Sequence, residues 1–177
     1  FSVLREDPAA LRVALGLVAT LPRVAQFYYG TEVLMTSTVE RDDIAARRNF
    51  PGGWPGDAAS AFTGKGLTAE QRALQDWMRR LLRWRAESKA IAEGRFLHYQ
   101  PRQGAYVYFR RADDEAVMVV VNRGSAPFVF ERERFEQGLE GAQKANDVLE
   151  GTAIDLNARP NFAPGSITIL RLSPATE

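Results

Sequence analysis

Two short runs set carboxylates beside arginine, Arg5-Glu6-Asp7 and Arg41-Asp42-Asp43. Carboxylates so placed act as general acids, bases or nucleophiles when a packed support holds them. Neither run follows a buried strand: the first leads into a helix cap and the second lies in a polar loop. Both are therefore read as structural. Other chemistry is closed off more firmly. The 177 residues contain no cysteine, which excludes disulfides, thiolate metal sites and a cysteine nucleophile. The one histidine, His98, excludes a multi-histidine metal centre and weakens any serine–histidine arrangement. Asn146-Asp147 has the residue types of hard-cation ligands, but such sites need several converging oxygens, so no metal is assigned.

A third stretch is richer. The apolar run Phe27-Tyr28-Tyr29 ends in Gly30-Thr31-Glu32, and a polar link leads on to Arg47-Arg48-Asn49-Phe50-Pro51-Gly52-Gly53-Trp54-Pro55-Gly56-Asp57. An apolar strand that ends in glycine and a carboxylate, then opens into a Gly/Pro/aromatic loop, builds one lip of a cleft. The composition is that of a globular chain, 45% hydrophobic and 25% charged. Net charge is +1 with the two signs interspersed, so no footprint for nucleic acid or an anionic membrane stands out. Neutral substrates are the expectation. No apolar run is long enough to span a bilayer.

The elements around the loop are legible from local signals. Asp7-Pro8 starts a helix, Leu11, Ala14, Leu15, Val18 and Leu21 recur at helical spacing, and Pro22 marks the stop. Val24–Tyr29 is almost wholly apolar, which predicts a strand buried on both faces in a helix-covered sheet. Thr68 and Gln71 fit a capping box, and Leu74, Trp77, Met78, Leu81, Leu82 and Trp84 give the following helix its apolar face to about Glu87. A short turn runs through Ile91 to Gly94. Beyond it the pattern changes to short strands: 95–99, 106–110, 116–122, 127–130, 144–148 and 166–172. A helical half followed by many strands predicts two units, residues 1–92 and an antiparallel β-sandwich over 93–177.

Gln26-Phe27-Tyr28-Tyr29-Gly30-Thr31-Glu32 with Arg47-Arg48-Asn49-Phe50-Pro51-Gly52-Gly53-Trp54 resembles the last barrel strand and following loop of the alpha-amylase superfamily of glycoside hydrolases, in its cyclomaltodextrinase and neopullulanase branch. Arg23 and Ala25 stand where that family commonly has Gly and Pro, and Asn49 where it has Asp. The resemblance implies the last helix-strand-helix of a (β/α)8 TIM barrel followed by the family's β-sandwich. It also implies a parent enzyme acting on α-1,4-glucans (maltodextrin, cyclomaltodextrin or pullulan) by a retaining two-carboxylate mechanism. Its three catalytic carboxylates belong to segments this sequence does not contain, so the chain alone is expected to be inactive.

Of the residues present, the resemblance puts Trp54, Phe50, Arg47 and Arg48 on the substrate rim. Trp54 and Phe50 either stack on glucose rings or plug the loop onto its own barrel. Arg47 and Arg48 either bond sugar hydroxyls or pair with Asp42, Asp43 or Asp57. Glu32 is expected to bond backbone or a nearby arginine, Tyr28 and Tyr29 to pack between barrel and helix, and Trp77 and Trp84 to sit between helix and sandwich. No cofactor is implied, Ca²⁺ in the parent is left open, and cytoplasm and periplasm are both allowed. An eighth strand alone has two bare edges. With Phe1 rather than Met at its start, the chain is expected to need the remaining N-terminal part of the barrel as partner, alongside an α-glucan oligosaccharide. The alternative is a non-catalytic carbohydrate-binding or structural β-sandwich module. It would need exposed paired aromatics, for which Tyr99, Tyr106 and Tyr108 are the candidates.

Overall fold

A computed structural model of the chain describes residues 4–37, 44 and 47–174. Helix α1, Pro8–Thr20, starts as its sequence demands. The Asp7 carboxylate accepts from the amides of Ala9 and Ala10 at 2.8 and 3.1 Å, a cap that contributes about 1 kcal/mol. Helix α2, Ala69–Glu87, opens on a reciprocal capping box: Thr68 Oγ1 accepts from the Gln71 amide while Gln71 Oε1 accepts from the Thr68 amide. Ser88 closes α2 and caps the short α3, Lys89–Glu93. The Glu115 carboxylate clamps that start by accepting from Ser88 Oγ at 2.8 Å and the Ala90 amide at 3.0 Å.

Eight strands follow: β1 Arg95–His98, β2 Ala105–Arg111, β3 Ala116–Asn122, β4 Phe128–Val129, β5 Lys144–Asp147, β6 Ala153–Asp155, β7 Asn161–Phe162 and β8 Ser166–Leu172. A 3-10 turn, Arg132–Phe135, and the one-turn helix α4, Glu136–Leu139, lie between β4 and β5. Six strands form one antiparallel sheet in the order β1-β2-β3-β8-β5-β6, and β4 and β7 pair separately. Side-chain alternation splits β3 between two cores. Val117, Val119 and Val121 meet Leu11, Leu15, Leu74, Leu81 and Trp84 from the helices. Met118 and Val120 meet Phe128, Phe130, Phe135, Leu139 and Phe162 on the opposite face. With both faces covered, β3 is apolar from Ala116 to Val121, which is why its sequence reads as an unbroken run, and the buried Asn122 that ends it donates to the carbonyls of Ala126 and Phe162. Helix α1 comes close to the sheet at Gly16, where a Cβ would lie 2.6 Å from Ile167 Cδ1.

The strands expected at 95–99, 106–110, 116–122, 127–130, 144–148 and 166–172 form, within a residue or two at their ends, and β6 and β7 are additional. The strand expected at Val24–Tyr29 does not form. That segment is non-regular, and Val24 is 94% and Tyr28 52% exposed. A strand is made by its neighbours, and among the described residues none lies beside this run to accept its backbone bonds. Tyr28 and Tyr29 accordingly do not pack between barrel and helix; they pack on each other, ring centroids 4.6 Å apart. Trp77 and Trp84 are buried where expected, in the core that α1, α2, α3 and the sheet share.

Candidate functional site

The loop after the exposed run is built as a closed structure. Gly30, at φ +81, turns the chain into a 3-10 turn, Thr31–Val33, whose Val33 is fully buried with Ala61 and Leu67. Side chains of α2 grip this cluster from one side. Gln71 Nε2 donates to the Val33 carbonyl at 2.9 Å, Gln75 Nε2 to that of Ala61 at 2.9 Å, and Arg72 to that of Leu67 at 2.6 Å. Each bond fixes a loop carbonyl to a rigid helix.

Asp57 closes the aromatic tip. One oxygen of its carboxylate accepts from the amides of Gly52 at 2.8 Å and Trp54 at 3.1 Å. Gly52 sits at φ +94, and a Cβ on it would lie 2.7 Å from the Ser60 Cα, so both its conformation and its space require glycine. The result is a tight ring of residues 52–57 from which Trp54 projects, 63% exposed. Phe50 does not project. It is half-buried, edge-on to Phe62 with centroids 5.5 Å apart, against the Val33, Ala61 and Leu67 cluster.

Arg47 and Arg48 are both exposed. Neither pairs with Asp57, whose carboxylate is occupied by amides; Arg48 instead donates to the Thr36 carbonyl at 3.4 Å, and its own carbonyl accepts from the Tyr29 hydroxyl at 3.0 Å. Asp42 and Asp43, with the run Arg41-Asp42-Asp43, lie outside the described residues. Glu32 is half-buried and makes neither the backbone bond nor the arginine pair expected of it among the described residues. Asp7 is a helix cap, and Asp147 accepts from the amides of Leu149 and Glu150 in a turn. Among the described residues no cluster of His, Cys, Asp or Glu could hold a metal ion. Over residues 47–57 the loop presents one exposed aromatic ring, Trp54, and two exposed arginines, Arg47 and Arg48.

The sandwich tyrosines are occupied elsewhere. Tyr108 is fully buried, and Tyr106 packs beside it at 5.2 Å between centroids. Tyr99 accepts from the Gly138 amide at 3.0 Å and lies edge-on to Phe109 and Phe135. His98 is exposed on β1 and stacks on Phe96. What sequence reasoning missed is the role of Asp57, weighed only as a partner for arginine. Its signal was an acidic side chain following Gly-Trp-Pro-Gly, where a carboxylate can bond amides a few residues back.

The architecture has a counterpart among known proteins. Residues 96–171 match the family described as the cyclo-malto-dextrinase C-terminal domain. The whole chain, helices included, is similar in fold to the C-terminal portion of alpha-amylase family enzymes. One is an alpha-amylase from Anoxybacillus, 19% identical with a TM-score of 0.71, matched over 97% of this chain and 34% of that one. A second is AmyP in complex with maltose, 18% identical with a TM-score of 0.69, over 96% and 36%. A third is the cyclic alpha-maltosyl-(1→6)-maltose hydrolase of Arthrobacter globiformis, 17% identical with a TM-score of 0.64, over 94% and 31%. At such identities the likeness is one of fold. The chain spans about a third of the length of these structures.

Proposed function

We propose that the chain is the C-terminal part of an alpha-amylase-type glycoside hydrolase that cleaves α-1,4-glucosidic bonds in maltodextrin, cyclomaltodextrin or pullulan. Residues 1–92 would complete its TIM barrel, and residues 93–177 form its β-sandwich domain. The observation that carries this reading is the match of residues 96–171 to the cyclo-malto-dextrinase C-terminal domain, in a fold shared with amylases over almost the whole chain. The bare, exposed run at Val24–Tyr29 supports it, as an eighth strand would look without the neighbours that pair with it.

The reaction would be retaining. A carboxylate nucleophile and a carboxylic acid, roughly 5–5.5 Å apart, form and then hydrolyse a glycosyl intermediate. Both groups would come from polypeptide outside these residues. Trp54 would contribute an aromatic face to a glucose ring, and Arg47 and Arg48 would donate to its hydroxyls, while Phe50 anchors the loop. A non-catalytic sandwich that grips glucan through Tyr99, Tyr106 and Tyr108 is the weaker reading, because all three rings are taken up by packing.

The experiment has two arms. The 177-residue chain should release no reducing sugar from any of the three glucans. Robust turnover by the chain would overturn the assignment of catalysis to other polypeptide. Mixed with a separately expressed barrel lacking these residues, the chain should restore activity, and failure of every such mixture would count against the barrel role.

A further inference from the structure

Gln75 differs from the other donors of α2 in what its bond leads to. Gln71 and Gln75, four residues apart, share one face of the helix. Gln71 reaches Val33, in the 3-10 turn, and Gln75 reaches Ala61. Ala61 is tied twice: its carbonyl accepts from Gln75, and its amide donates to the Pro51 carbonyl at 3.0 Å. Pro51 is followed by Gly52, whose amide, with that of Trp54, is held by Asp57. Two hydrogen bonds and a few covalent links therefore join α2 to the exposed indole.

The root of this path is packed and its tip is not. Leu74 and Met78, on either side of Gln75 in the helix, are buried in the core that α2 shares with the sheet. Trp54 is exposed, so its ring has little packing of its own, and the backbone beneath sets where it stands. Pro51 has no amide, which leaves its carbonyl as its one backbone hydrogen-bonding group. Water would satisfy the Ala61 carbonyl nearly as well as a side-chain amide does. Water has no fixed place, however, whereas a side chain rooted in a packed helix holds the carbonyl at one height. A surface set in place before its ligand arrives has less ordering to lose on binding.

We propose that Gln75 is a positioning residue: through Ala61 and Pro51 it sets where Trp54 stands, and with it the affinity of the loop for a neutral glucan. The inference rests on the reading of Trp54 as a glucan contact. Its test uses two variants of the 177-residue chain, each compared with the unaltered chain at the same pH. Gln75→Glu keeps the side chain's shape. At pH 7.5 its carboxylate has no proton to give the Ala61 carbonyl, and at pH 4.5 the carboxyl regains one and donates as the amide does. Gln75→Leu has no donor at either pH. At pH 7.5 both variants should speed hydrogen exchange at the Gly52 and Trp54 amides and leave β3 unchanged. Both should bind maltoheptaose, followed by Trp54 fluorescence, about three- to tenfold more weakly, the range of one neutral hydrogen bond. At pH 4.5 only Gln75→Glu should return to the behaviour of the unaltered chain, a recovery that a side chain acting by bulk alone would not show. Unchanged exchange in both variants, or equal behaviour of the two at pH 4.5, overturns the proposal. If exchange follows this pattern but the unaltered chain binds no maltoheptaose, Gln75 still positions Trp54 and the glucan reading is what fails.

Discussion

The hydroxyls of Thr20 and Tyr108 lie 2.5 Å apart in the buried seam between α1 and the sheet. Thr20 has a single hydroxyl proton and gives it to the Gly16 carbonyl at 2.6 Å. The proton in the inter-element bond must therefore come from Tyr108. This direction makes the two partners unequal. Tyr108→Phe removes one bond and leaves Thr20 still donating, which should cost about 1 kcal/mol. Thr20→Val strands a buried phenol and should cost more, up to about 3 kcal/mol. The double variant should be less destabilised than the sum of the two. Urea denaturation of the four chains measures the coupling, and additive losses would show that the bond does not join helix to sheet.

Tyr108 also predicts how stability responds to alkali. Burial holds its proton well above the ordinary tyrosine range. The folded chain keeps a proton that the unfolded chain releases near pH 10. The Tyr108 contribution is therefore complete below about pH 10 and fades as pH climbs through the unfolded value toward the folded one. The denaturation midpoint should fall above pH 10, and less steeply in Tyr108→Phe. Some slope should survive in that variant, because burial raises the Tyr106 pKa too.

Leu81 is fully buried in the core shared by α2 and the sheet. Leu81→Ala should cost about 2–5 kcal/mol. Because the core is shared, helix and sheet should still melt in one transition, at a lower temperature. Calorimetry would expose the opposite result as two separate heat-absorption peaks.

Trp54 is the exposed member of three tryptophans; Trp77 and Trp84 are 8% and 9% exposed. Acrylamide quenching should therefore report mainly on Trp54, and Trp54→Ala should remove most of the quenchable signal while changing stability by no more than about 0.5 kcal/mol. If the loop holds glucan, maltoheptaose should protect that signal in the unaltered chain.

The ring of residues 52–57 depends on Asp57 and Gly52. Gly52→Ala places a Cβ against the Ser60 backbone at a left-handed φ, and should cost about 1–2 kcal/mol of loop stability. Asp57→Ala removes the acceptor of two amides. Both variants should speed hydrogen exchange at the Gly52 and Trp54 amides and leave β3 protected. Unchanged exchange at those amides would mean that the clasp contributes nothing to order.

Where local chemistry suffices, the sequence announced the structure. Asp7-Pro8, the Thr68–Gln71 box and the strand 116–122, apolar to Val121, all formed as expected, because caps and continuous burial leave signatures in adjacent residues. Strands β6 and β7, three and two residues long, carry too little alternation to be seen. Val24–Tyr29 shows the converse case: its composition suits a strand, but pairing depends on partners that no local pattern supplies. In the loop, Trp54 was visible by residue type, whereas the inward turn of Phe50 depends on Val33 and Leu67, far from it along the chain. Arg110, buried on β2, is the instructive miss. It alternates with Tyr106 and Tyr108 on the helix-facing side of β2, so its burial could have been read from period two.

Strand β8 lies between β3 and β5, although it follows both in sequence. During synthesis the ribbons 95–122 and 144–155 emerge from the ribosome with no bridge between them. Each then presents an open hydrogen-bonding margin until Ser166–Leu172 has cleared the exit tunnel. The sheet must therefore close late, and a chain stopped short of Ser166 would leave two separate, adhesive ribbons for chaperones or proteases to find.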